Sequence, residues 1–201
     1  MRYSICFLAL ALGCDGPQNP VEDNEEELIN RVELSFTSSA GDTFSAVWDD
    51  PLGDGNPTTD GVELVSGESY AVSVAFLNTL SDPPEDITEE ILEEADEHQV
   101  FITGAAIVGP ASQDSGAALV EHAYADADSD GLPLGLENTW DVIAEGDGDF
   151  TVTLRHLPVE DDQVSKLPDL AETVAQDGFG GIPGDTDVQV SFSLAVSPVL
   201  D

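Results

Sequence analysis

The sequence predicts an all-β domain, an antiparallel β-sandwich of immunoglobulin-like type, with one α-helix inserted at about residues 86–97. Two observations carry this expectation. Many short segments alternate apolar and polar residues with a period of two, as strands with one buried face do. Runs of Gly, Asp and Pro punctuate them, and one stretch alone has a helical period.

The strands follow in order. In Arg31–Thr37, Val32, Leu34 and Phe36 alternate with Glu33 and Ser35. Thr43–Trp48 is the next strand, and Asp49–Gly61 is a turn region dense in Asp, Gly and Pro. Val62–Val65 is short; Ser69–Asn78 alternates Tyr70, Val72, Val74 and Phe76. Pro83 and Pro84 end that run before the helix. After it come Gln99–Thr103, Ala105–Val108, Ala118–Tyr124, Leu136–Ile143 and Asp149–Leu157. The last two flank Glu145–Gly148, which reads as a hairpin turn. Residues 158–184 form a polar excursion with room for one helical turn. Thr186–Val196 closes the domain, with Val188, Val190, Phe192, Leu194 and Val196 on one face.

The helix is DITEEILEEADEHQVF, from Asp86. Asp86 is placed to cap its N-terminus, with Glu89 three residues on. Ile87, Ile91, Leu92 and Ala95 form an apolar stripe. Its C-terminal end is crowded with Glu93, Glu94, Asp96 and Glu97, where a helix favours cations. A protonated His98, Arg155 or a metal ion would relieve that crowding. Glu94 and His98 share a face if the helix runs that far.

Length and charge bound the function. Residues 1–13 read as a secretion signal, with Arg2 ahead of an apolar run too short to span a bilayer. Ala11-Leu12-Gly13-Cys14 resembles a bacterial lipobox, which implies diacylation of Cys14 and a membrane-anchored protein of the cell envelope. Residues 14–29 read as a disordered acidic tether, and 30–197 as a single domain. There are 42 acidic residues against 4 Lys and Arg, a net charge of −38. Such a surface repels nucleic acid and anionic lipid and suits cations. Cys6 leaves with the leader, so no disulfide is expected, and packing and bound ions must supply stability.

Two sets of residues carry candidate chemistry. Asp126, Asp128, Asp130 and Glu137 fall at places 1, 3, 5 and 12 of a D-x-D-x-D-G-x5-E calcium loop, with Gly131 at the turn. Pro133 and the flanking strands depart from the usual helix-loop-helix setting. Glu94, His98 and His156 offer imidazole and carboxylate for a transition metal such as zinc. Asp49, Asp50, Asp54 and Asp60 form a second acidic turn without strict spacing. Nothing resembles a nucleophile elbow, so the chain reads as a binding protein and not an enzyme.

The order of DITEEILEEADEHQVF, YADADSDGLPLGL, FTVTLRHLP and GDTDVQVSFSLAV resembles a group of small bacterial lipoproteins common in Bacteroidetes and marine bacteria. The likeness runs from about Arg31 to Val196. The group is often labelled "type 1 periplasmic binding fold superfamily", yet that fold needs repeated βαβ units, and the residues predict a sandwich. The expected function is a lipid-anchored binding protein for divalent cations, accessory to an outer-membrane transporter. The alternative is an envelope module in which calcium braces loops.

Overall fold

The computed structural model describes residues 27–160 and 163–199; the expected leader, Cys14 and most of the expected tether lie outside them. In chain order the elements are β1 (Arg31–Ser38), β2 (Thr43–Asp49), β3 (Thr58–Thr59), β4 (Val62–Val65), β5 (Ser69–Asn78), β6 (Glu85–Asp86), α1 (Ile87–Glu93), β7 (His98–Thr103), β8 (Ile107–Val108), β9 (Val120–Tyr124), β10 (Glu137–Val142), β11 (Gly146–His156), β12 (Val159–Glu160), β13 (Gln163–Val164), α2 (Leu170–Asp177) and β14 (Asp185–Ser197). Among the described residues strands dominate and the two α-helices do not alternate with them, so this part of the chain is β-rich and not built of βαβ units.

The larger sheet runs β3-β2-β1-β5-β10-β9-β8, with β6 added to β5; the smaller runs β4-β14-β11-β7. Both curl like half-barrels. Pairing is antiparallel except for β8 on β9 and β4 on β14. One core lies between the sheets. Val32, Leu34 and Phe36 of the larger sheet are buried in the same cluster as Phe150, Val152 and Leu154 of the smaller. Trp140 joins the layers, edge-on to Phe150 at 5.0 Å and to Phe36 at 5.6 Å. Each such side chain contributes about 1.5–3 kcal/mol by leaving water.

The alternation places most strands within a residue or two of expectation, but three local expectations are corrected. The segment Glu145–Gly148 is no hairpin. Both edges of β10 are already occupied by β5 and β9, so the chain crosses to the other sheet, where β11 pairs with β14 and β7. The excursion 158–184 holds a second helix, α2, longer than one turn. Leu170, Ala171 and Val174 bury a stripe beside Phe101 and Leu157 on the outer face of the smaller sheet. Gly178, at φ 72°, follows its last turn.

Third, the helix expected over 86–97 ends at Glu93. Asp86 does cap it, accepting from the Thr88 amide at 3.1 Å. Ile87 and Ile91 are buried, whereas Leu92 is exposed. Glu94 leaves helical geometry, and the acids that follow fold into a turn. Two positive or proton-donating groups meet the carbonyls of that turn. His98 Nδ1 lies 3.1 Å from the Glu94 oxygen, and Lys166 Nζ donates to the Ala95 oxygen at 2.7 Å. Arg155 does not reach it; its guanidinium binds Thr186 Oγ1 and the Pro183 and Gly184 carbonyls.

Candidate metal centre

The smaller sheet brings three ligand-type side chains to one end. His98 and His156 are direct cross-strand partners on β7 and β11, and their rings lie 4.5 Å apart. Val100 and Ile102 of β7, and Phe150, Val152 and Leu154 of β11, belong to the core between the sheets. By the period of two, His98 and His156 end the same inward faces.

Asp187 comes from the third strand. The β11–β14 register pairs Leu154 with Val188 but Arg155 with Thr186, so Asp187 is the extra residue of a β-bulge. In a regular strand it would face away from Val188. The bulge re-aims it, and both of its oxygens are buried.

Glu27 closes the group from the chain just ahead of β1. Its Oε1 lies 2.8 Å from His98 Nε2 and 3.5 Å from His156 Nδ1, with the side chain only 4% exposed. The ligand atoms of Glu27, His98, His156 and Asp187 all lie within 4.8 Å of one another. Among the described residues no other group of three or more does so. A tetrahedral ion with bonds of about 2.0–2.2 Å holds its ligands about 3.3–3.6 Å apart. The 3.5 Å spacing matches that, and the 2.8 Å spacing is a hydrogen bond whose proton an ion would replace.

Both imidazoles have a partner on the far side of the ring. His98 Nδ1 faces the Glu94 carbonyl, which leaves Nε2 aimed at the cluster. His156 Nε2 faces the Glu97 carboxylate at 3.6 Å, which leaves Nδ1 aimed inward. Such outer bonds set the tautomer and orientation of metal-binding histidines. Gly184 permits the close packing here: at φ 86°, any Cβ would strike the His156 carbonyl.

The cluster is short of donors. Glu27 Oε2 and both Asp187 oxygens are buried without a hydrogen-bond partner among the described residues, and His156 Nδ1 has only the Glu27 carboxylate, at 3.5 Å. Buried polar atoms are seldom left so. Burial, and then the Glu27 carboxylate beside it, push the Asp187 carboxyl up to about 7. Burial also opposes charge on Glu27, but the bond from His98 and the nearby imidazoles outweigh it and hold Glu27 low. Burial opposes charge on His98 as well. Its bonds to Glu27 and to the Glu94 carbonyl prevail and raise it.

The expected calcium loop has a different structure. Asp126 accepts three backbone amides, from Gly135, Leu136 and Glu137, at 2.7–3.0 Å. Asp128 accepts the Asp130 and Leu132 amides through Oδ1. Its Oδ2 pairs with the buried Lys166 ammonium at 2.8 Å. Asp130 and Glu137 are exposed. Among the described residues, the carboxylate oxygens of Asp126, Asp128, Asp130 and Glu137 do not form a group of three or more within 4.8 Å. In the second acidic turn, Asp50 accepts the Asp54 and Gly55 amides, and Asp60 accepts that of Val47.

Of the expected transition-metal set, His98 and His156 meet, but the Glu94 carboxylate is not part of the group; only its carbonyl takes part. Glu27 was expected in the acidic tether, and its side chain is instead enclosed beside the two histidines. Asp187 was not among the expected ligands; simple alternation with Val188 would place it on the opposite strand face. No period marks Glu27, which precedes the first strand. The Asp185-Thr186-Asp187 run before an alternating strand is the one signal that could have suggested a bulge. Neither a family model, nor a curated protein, nor a solved structure matches this chain.

Proposed function

We propose that this chain is a lipid-anchored cell-envelope protein that binds one divalent transition cation through Glu27, His98, His156 and Asp187. The observation that carries this reading is the combination of buried, partnerless oxygens with two imidazoles already oriented from behind. Two nitrogens and two carboxylates suit zinc, iron(II) or manganese better than calcium, which takes six to eight oxygens. With zinc, which is tetrahedral, four protein ligands fill the coordination shell, which supports binding rather than catalysis. The architecture we propose is the antiparallel sandwich of immunoglobulin-like type, supported by the shared core between the sheets; the two parallel pairs are departures from it. The lipobox-like run ending in Cys14 supports the anchor, and the resemblance to small envelope lipoproteins agrees with that placement. A metal-binding role beside an outer-membrane transporter is the leading reading. A purely structural ion is the second, favoured by the burial of all four donors.

Metal analysis of the purified chain after equilibrium dialysis against zinc tests the site. The expected result is one zinc per chain, lost in His98→Gln and in Asp187→Asn but kept in Asp128→Asn. Retention of zinc without His98 would remove the reading. Cys14→Ser tests the anchor separately: the wild-type chain should partition with membranes and the variant should not.

A further inference from the structure

We infer that Glu27 is a removable ligand on a strap, so that the ion enters and leaves by release of the segment Glu27–Ile29, hinged at Asn30. The inference rests on the metal reading above. It follows from a contrast among the four ligands. His98, His156 and Asp187 stand on β7, β11 and β14, three hydrogen-bonded neighbours in one sheet. They hold a common geometry as long as the sheet does.

Glu27 belongs to no strand. Among the described residues, the backbone first bonds the larger sheet at Asn30, whose amide donates to the Leu77 carbonyl at 3.1 Å. Asn30 in turn accepts the Asp50 amide at 2.8 Å. Ahead of that clamp, Leu28 is 61% exposed while Glu27 is 4% exposed at its side chain. The segment is thus pinned at Asn30 and again by the Glu27 carboxylate, with Ile29 packed partly against the core between them.

Lifting Glu27 exposes a three-ligand face on an intact sheet. Returning it supplies the fourth ligand and excludes water. An ion so held is exchangeable without unfolding the domain. It is also coupled to whatever holds the chain ahead of residue 27. Cys14, the expected anchor, is thirteen residues upstream (27 − 14).

The test uses the full chain with zinc as the probe. A protease that cuts after Glu is applied with and without zinc, and cleavage after Glu27 is followed by mass spectrometry. Equilibrium dialysis on the same samples reports bound zinc. Zinc at a hundredfold excess over its dissociation constant should slow cleavage after Glu27 by about a hundredfold. Glu27→Gln should still bind zinc but release it to a chelator at least about tenfold faster than the wild type. Zinc binding without protection at Glu27, or equal release rates, would overturn the strap and leave the metal reading standing. Absence of bound zinc would overturn both.

Discussion

In the loop from Asp126 to Glu137, the oxygens of Asp126 and Asp128 face donors: five backbone amide bonds and the Lys166 ammonium. In the cluster at the end of the smaller sheet, Glu27 Oε2 and both Asp187 oxygens face none among the described residues. Both regions are rich in carboxylates, and both invite a cation on composition alone. The difference lies in what closes them. The loop turns its own N–H groups onto its acids, as Asx turns do, and borrows one lysine. The cluster sits where strands end on a core face, and no lysine or arginine pairs with its carboxylates among the described residues. A run of acids therefore says little about ion binding until its donors are counted.

The largest expected effect lies in the loop. Lys166 is buried between Asp128 and the Ala95 carbonyl, joining the loop to the turn after α1. Lys166→Met takes the ammonium from Asp128 Oδ2 and leaves that carboxylate only the two backbone amides on Oδ1, which should cost about 3 kcal/mol in urea unfolding. Asp187→Asn removes a charge from a crowded site, so the metal-free chain should lose less than about 1 kcal/mol, or gain. Equal losses in the two variants would erase the contrast between the regions.

Next is the response to ions. Zinc at a hundredfold excess over its dissociation constant should stabilise the wild type by about 2.7 kcal/mol, and Asp187→Asn should lose that increment. Calcium should do no more than sodium at matched ionic strength, because binding at the loop would have to displace Lys166 and backbone donors. A calcium increment that vanishes in Asp128→Ala would reverse the assignment of the two regions.

A smaller effect is the pH dependence of the metal-free chain. Asp187 moves from an ordinary 3.8 to about 7 on folding. Between those values the folded state holds a proton that the unfolded chain has lost. Its contribution to stability therefore declines as pH rises from about 4 to 7. The raised His98 acts in the same direction at higher pH: its contribution is full below the ordinary imidazole value and fades as pH passes its folded one. The lowered Glu27 acts oppositely, contributing above the ordinary carboxylate value and losing that contribution in acid. Zinc needs the ligands deprotonated, so its stabilising increment should grow from pH 6 to pH 8. Thermal melts with and without zinc across that range check both slopes. A metal-free slope unchanged in Asp187→Asn would show that another group sets it.

Alternation made much of this fold legible. Val32, Leu34 and Phe36, or Val188, Val190 and Phe192, announce a strand and its buried face without reference to anything distant. What it could not show was which strand pairs with which. The turn at Glu145–Gly148 has hairpin chemistry, yet β5 and β9 already occupy β10, a fact set by residues far along the chain. The site was half legible for the same reason. His98 and His156 could be singled out as imidazoles, but their pairing depends on the β7–β11 register. Asp187 enters through a bulge that breaks the very alternation used to read its strand. Glu27 enters from a segment with no period at all. Lys166 was one of few cations, and its burial follows from two acidic features meeting in space.

Zinc-edge X-ray absorption on the loaded chain tests the central claim most directly, because it counts and identifies the ligands. Two imidazole nitrogens and two carboxylate oxygens, at about 2.0–2.2 Å, are expected. Glu27→Gln and Asp187→Asn should each alter the oxygen shell, whereas Asp128→Asn should leave the spectrum unchanged. A shell of oxygens without imidazole scattering, altered by Asp128→Asn, would place the ion in the loop and contradict the account.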